Sequence, residues 1–184
     1  TPLYVNHSTF YYQSSYNVLD STTVNNYDDD GNMASVKTVY QYDTTTLLQK
    51  SASISTSKGE WITTNYSRPF DFAGLSGSDA ITQGIKKLQE VRALAPPIEV
   101  TTTRANWDGS NKRTIGSVFT SYKPDRPLRD KLYGTEKIGS MTDFNSAMIS
   151  GGHVILDSRY QPKVSFDAYD KYNNLSRQHK EDDM

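Results

Sequence analysis

Ser21-Thr22-Thr23-Val24-Asn25-Asn26-Tyr27, then Asp28-Asp29-Asp30-Gly31-Asn32, then the run 33–42, reads as a β-hairpin. The first run is rich in β-branched side chains, which suit a pleated strand. The middle is turn chemistry, because Asp-Gly supplies the positive φ angles of a tight hairpin. In the second run Met33, Ser35, Lys37, Val39 and Gln41 share one face, and Ala34, Val36, Thr38, Tyr40 and Tyr42 share the other. The second face is the more apolar and is expected to pack.

Working outward, residues 1–66 are strand material throughout. Thr9-Phe10-Tyr11-Tyr12 opens them, and 47–56 with 60–66 makes another hairpin turning at Lys58-Gly59. Residues 67–97 break the pattern with Arg68-Pro69-Phe70-Asp71-Phe72-Ala73-Gly74 and a loop at Ser76-Gly77-Ser78. Ser78 or Asp79 can cap a helix running to about Leu94, before Pro96-Pro97. Ile81, Ile85, Leu88 and Val91 or Arg92 give that helix an apolar stripe, with Lys86, Lys87, Gln89 and Glu90 facing away. Gly84 should weaken it by up to ~1 kcal/mol relative to Ala.

Residues 98–184 return to strands, at 98–106, 112–123 and 163–169 and in the apolar run 153–156 after Gly151-Gly152. Asn106-Trp107-Asp108-Gly109-Ser110 is a turn, Lys123-Pro124-Asp125-Arg126-Pro127 a rigid linker, and 143–149 a short helical turn. Residues 175–179 begin a strand with no partner left in the sequence. That end and the start at Thr1 rather than Met suggest a piece of a longer chain. The expected fold class is mainly β: antiparallel strands and hairpins with one inserted amphipathic helix.

The first hairpin has an echo. Tyr27-Asp28-Asp29-Asp30-Gly31-Asn32 is matched by Tyr169-Asp170-Lys171-Tyr172-Asn173-Asn174, each flanked by apolar residues, and a third Tyr-Asp stands at Tyr42-Asp43. Physically this is a module in which Tyr anchors a strand end and Asp accepts backbone donors. Gly31 or Asn173 then takes the left-handed position. The pattern resembles the YD repeat of the RHS family, centred on Tyr-Asp-x-x-Gly-Asn. The second copy departs at Asn173, where Asn is the next-best left-handed residue. The stretch Tyr66-Ser67-Arg68-Pro69-Phe70-Asp71-Phe72, a helix, then Pro97-Ile98-Glu99-Val100 is similar to a segment of large surface or secreted RHS-like proteins of Bacteroidetes. The resemblance implies a strip of β-sheet belonging to a shell. It also implies secretion or display on the outer cell surface, and as partners the rest of a parent chain or neighbouring repeats. Nothing matches the family's aspartyl cleavage segment or a toxin domain. Asp43-Thr44-Thr45 and Asp20-Ser21-Thr22 are similar to the O-glycosylation signal of exported proteins from such bacteria. Asn6-His7-Ser8, Asn65-Tyr66-Ser67 and Asn174-Leu175-Ser176 are sequons.

The 184 residues amount to one domain or two small ones, enough to bury roughly two-thirds of the unfolded surface. Twenty basic against 21 acidic residues leave a net charge of −1, which argues against a nucleic-acid-binding domain and against attraction to a membrane surface. No run approaches the ~18 apolar residues of a membrane span. A hydrophobic share of 35% is lean, yet 13 tyrosines are too many for a disordered chain. The absence of cysteine excludes disulfides, thiolate nucleophiles and Cys-ligated metals.

Candidate chemistry is sparse. His7, His153 and His179 lie in no metal-binding spacing and read as loop, strand-edge and solvated-tail residues. Gly74-Leu75-Ser76-Gly77-Ser78 comes near a nucleophile elbow but lacks the final glycine and a preceding buried strand, so it reads as a capping loop. Asn26, Asp28 and Asp30 with Gly31 mimic half a calcium loop, but the twelfth position is Lys37, not an acid. An acidic hairpin turn is the preferred reading. Trp61 and Trp107, with Arg104 and Arg113 nearby, could stack on bases or sugars; cross-strand aromatics with Arg packed over them are the plainer outcome. No cofactor is implied. The leading expectation is a non-enzymatic scaffold segment. The alternatives are a glycan-binding β module and a surface protein-interaction module. An enzyme ranks last, for want of a convergent acid, base or nucleophile set.

Overall fold

The computed structural model describes residues 17–135 and 139–181. The strand expected at Thr9-Phe10-Tyr11-Tyr12 and the loop residue His7 lie outside them. The fold is mainly β. Its strands are β1 (Ser21–Tyr27), β2 (Met33–Tyr42), β3 (Gln49–Ser55), β4 (Glu60–Ser67), β5 (Glu99–Asn106), β6 (Arg113–Tyr122), β7 (Arg129–Thr135), β8 (Met148–Ser150), β9 (His153–Ile155), β10 (Tyr160–Tyr169) and β11 (Leu175–Lys180). Nine of them form one antiparallel sheet in the order β1-β2-β3-β4-β5-β6-β7-β10-β11, and β8 pairs with β9 in the connection from β7 to β10. Each strand lies beside its predecessor in the sheet, joined by short turns except where the β4–β5 and β7–β10 connections carry insertions. A 3-10 turn (Pro69–Asp71) and the helix α1 (Ala80–Glu90) occupy the connection from β4 to β5. Those two strands still pair throughout, from Glu60↔Asn106 to Ser67↔Glu99, so the insertion does not interrupt the sheet.

The two faces of the sheet reverse the expected polarity. Register places Val39, Ser53, Thr63 and Thr103 on one face, followed on the same side by Thr101, Ser117, Glu99 and Phe119. This face carries the second layer: Ser51, Thr101, Thr103, Ser117 and Glu99 are all buried. Hydroxyl pairs make that burial affordable, Ser53 with Thr63 at 2.9 Å and Thr101 with Ser117 at 2.8 Å. The opposite face holds Val24, Val36, Ile54 and Val118, all exposed. On the apolar face of β2 (Ala34, Val36, Thr38, Tyr40, Tyr42) Ala34 and Val36 are exposed and the other three half-buried, so it is not the face that packs against the second layer.

α1 lies on the hydroxyl-rich side, where Ile85 and Leu88 are buried with Phe72, Ile98, Phe119, Tyr122, Val154 and Tyr160. Asp79 is its cap, accepting from the Thr82 N–H at 2.9 Å. Gly84 is more than a weak point: a β-carbon there would overlap the Tyr122 carbonyl, so glycine lets the helix approach the sheet. The helix stops at Glu90, short of Leu94. Arg92 turns left-handed (φ 56°), its N–H donates to Gln89 O, and the Ala93 N–H donates to Leu88 O, which closes a Schellman motif well before the prolines. Val91 is consequently exposed. Gln89 does not face away; its amide donates to Pro69 O at 2.6 Å and Phe72 O at 2.8 Å.

Other expectations are revised downstream. Residues 143–149 are not helical, and the last of them enter β8. Residues 123–127, expected as a rigid linker, belong to the loop from β6 to its neighbour β7, closed by Lys123 N–H to Leu128 O at 2.8 Å. β7 itself was not anticipated. β11 does have a partner: it pairs antiparallel with β10.

Candidate functional site

The two Tyr-Asp segments build the same turn. In the first, Asp28 Oδ1 accepts from the N–H groups of Asp30 (3.1 Å) and Asn32 (2.7 Å), and Oδ2 accepts from the Asn32 amide (2.9 Å). In the second, Asp170 Oδ1 accepts from Tyr172 (2.8 Å) and Asn174 (2.9 Å), and Oδ2 from the Asn174 amide (3.1 Å). Gly31 and Asn173 hold the left-handed position at φ 83° and 67°. These bonds stabilise the ionised carboxylate, so Asn32 and Asn174, each through side chain first and backbone second, hold Asp28 and Asp170 below the usual aspartate range. The Asn26, Asp28, Asp30 set is not drawn together as ligands, because Asp28 spends both oxygens inside its own turn. No group of three or more acidic or histidine side chains among the described residues is placed to hold a metal ion.

The tryptophans and Arg104 part company. Trp61, on β4, and Trp107, just past the end of β5, line one open trough of about 360 Å³ on the hydroxyl-rich face, with Thr63, Asn65 and Thr103 beside them and Lys112 also lining it. Trp61 pairs with Ala105, so its register neighbour Arg104 points to the other face. There Arg104 donates from Nε to Glu60 at 2.8 Å, with Arg113 3.5 Å from the same carboxylate. Neither arginine lies over an indole; both are tied by charge to Glu60.

His153, His179 and Ser76 are structural ties. His153 Nδ1 lies 2.7 Å from Asp79 Oδ2, which joins the β8–β9 hairpin to the helix cap. Ser76 and Gly77 donate their N–H groups to Gly152 O at 3.0 and 2.9 Å. His179 is exposed but not merely solvated: its Nδ1 lies 2.8 Å from Asp167 Oδ2, which raises its pKa.

A buried cluster escaped sequence reading. Glu99 Oε1 accepts from Tyr160 Oη (2.5 Å) and the Ala147 N–H (2.9 Å), and Tyr160 Oη also lies 2.6 Å from Ser117 Oγ. Burial pushes the Glu99 carboxyl up, and burial beside Glu99 pushes the Tyr160 phenol up as well. Its members lie 43 and 61 residues apart in sequence, and only the sheet brings them together. The cluster pins the segment around Ala147 to the sheet. No family model matches this chain, and neither does a curated protein or a solved structure.

Proposed function

We propose that this chain is a non-enzymatic scaffold segment of a larger, secreted or surface-exposed β-sheet protein of the RHS/YD-repeat kind, extended at its edges by neighbouring hairpins. The observation that carries this reading is the sheet order: a single-file meander that begins and ends in a hairpin with the same Tyr-Asp turn. Its outermost strands, β1 and β11, each have a neighbour on one side only among the described residues. Strand edges left in this state offer unpaired N–H and C=O groups to a further strand. The uncovered aliphatic face, with Val24, Val36, Ile54 and Val118, is also in keeping with a sheet whose other side is closed by the rest of an assembly. The ionisable groups that might have argued for catalysis (Asp79, His153, Glu99, Tyr160) are engaged in holding the second layer in place.

The test is amide exchange on the chain alone and on the chain with the sequence that flanks it in its gene. The outward amides of β1 and β11 should exchange fast in the first and markedly more slowly in the second. Equal exchange in both, or a gene that ends where this chain ends, would overturn the reading.

A further inference from the structure

The trough between the tryptophans is left over by the scaffold reading, and it has features that strand pairing does not require. Trp107 is 63% exposed, although an indole gains more from burial than almost any side chain. It does not sit on a loose tip. Its backbone N–H donates to Gly59 O at 3.1 Å, tying the β5–β6 turn to the β3–β4 turn, and the Asn106 backbone N–H closes the turn on Ser110 O at 2.9 Å. Asp108 reinforces it by accepting from the Ser110 N–H at 2.9 Å. A large aromatic is thus held open to solvent on a fixed support, beside a second tryptophan at the end of a trough walled by Thr63, Asn65 and Thr103.

We infer that this trough binds a carbohydrate chain, with pyranose rings lying against Trp61 and Trp107 and ring hydroxyls reaching Asn65 and Thr63. A pyranose presents an apolar C–H face and a rim of hydroxyls, which match an aromatic wall flanked by hydroxyl and amide groups. A polynucleotide would need several cations along its backbone, whereas among the described residues Lys112 is the one charged side chain lining the trough. An aliphatic ligand would cover the Asn65 amide without giving it a partner. The volume, about 360 Å³, falls in the range of small-ligand sites, and the open side suits a chain that continues past the two rings. The inference stands apart from the scaffold reading, since a scaffold and a free-standing module could equally carry it.

The test is a titration of the whole chain, followed by tryptophan fluorescence and calorimetry. The probes are cellohexaose, xylohexaose, chitohexaose and hexagalacturonate. At least one should bind saturably, with a Kd between about 10 μM and 10 mM, and should perturb the indole emission. Trp107→Ala removes an exposed ring, so its circular dichroism should be unchanged while affinity falls by about tenfold or more. Trp61→Phe keeps a ring in the half-buried position and should weaken binding less than Trp107→Ala does. Binding of a neutral hexasaccharide that ignores Lys112→Met assigns a neutral glycan; binding of hexagalacturonate that Lys112→Met weakens assigns an acidic one. No binding of any of the four at about 10 mM, or binding undiminished in Trp107→Ala, would overturn the inference.

Discussion

Tyr27 and Tyr169 occupy the same position in two hairpins whose turns share their bonding, yet their surroundings differ. Tyr169 sits at the end of β10, an interior strand, and its hydroxyl donates to Arg129 O on the adjoining β7 at 2.8 Å. Tyr27 ends β1, which is an edge strand among the described residues, and is 67% exposed. The turn is thus a local object, decided by six residues and indifferent to what lies beyond. The tyrosine is not local: it gains a partner only where another strand lies outside its own. Seen this way, Tyr27 stands where a strand beyond β1 would supply the carbonyl that β7 supplies to Tyr169.

The largest effect should come from the left-handed position. A β-carbon at Gly31 would meet nothing within 4 Å, so the whole cost of a side chain there is conformational. Gly31→Val should destabilise its hairpin by about 1–3 kcal/mol, read as faster amide exchange across β1 and β2. Asn173→Val should do the same to β10–β11. A large loss at one site and none at the other would break the equivalence of the two turns.

Next in size is the difference between the tyrosines. Tyr169→Phe deletes the bond to Arg129 and should cost about 0.5–1.5 kcal/mol by denaturant unfolding. Tyr27→Phe should lie within about 0.5 kcal/mol of zero in the isolated chain. In a chain extended on the β1 side Tyr27→Phe should come to resemble Tyr169→Phe. An unchanged value there would sever the comparison from the scaffold reading.

These contrasts show what the sequence made legible. Local chemistry was readable: the Asp-Gly and Asn turns, the extents of β1 and β2, the Asp79 cap, and strands bounded by glycine. What could not be read was set across strands. The polarity of the sheet was misjudged because Ser and Thr look like surface residues until their hydroxyls are seen to pair, as Thr101 does with Ser117. β7 was missed because Arg129, Asp130 and Lys131 look like loop; in the sheet Asp130 pairs with Lys123 at 3.0 Å and the Lys131 N–H donates to Ser121 Oγ. The prolines mark a later helix end than the real one, because Arg92 adopts a left-handed angle that its residue type does not advertise. Of the candidate site, the tryptophans were visible, but their separation from Arg104 depended on which face each strand position takes.

Smaller still is the response to acid, and its sign separates the turns from the core. Asp28 and Asp170 titrate below their unfolded values, so their contribution is present above about pH 4 and is lost as pH falls through the folded values. Glu99, raised by burial, works the other way: its contribution is complete at low pH and declines as pH rises through its folded value. Between about pH 4 and 2 both hairpin turns should loosen in parallel in amide spectra while the Glu99–Tyr160 region holds. Loosening of one turn without the other would show that the shared bonds are not equally important.

The smallest effect is the exchange of the two left-handed residues. Asn173 tolerates φ 67° better than other side-chain-bearing residues, because a short polar side chain can bond locally, but some strain remains. Asn173→Gly removes that strain and at the same time frees the unfolded chain, since glycine loses more conformational freedom on folding. The two terms oppose, so the net change should be neutral or stabilising by a few tenths of a kcal/mol. Gly31→Asn runs the same exchange backwards and should be neutral or destabilising by a similar amount. If the two changes mirror each other in hairpin-resolved amide exchange, the turns are interchangeable and the difference between the hairpins lies wholly in the strands outside them. If Asn173→Gly instead loosens β11, Asn173 contributes something that Gly31 does not, and the second hairpin is no copy of the first.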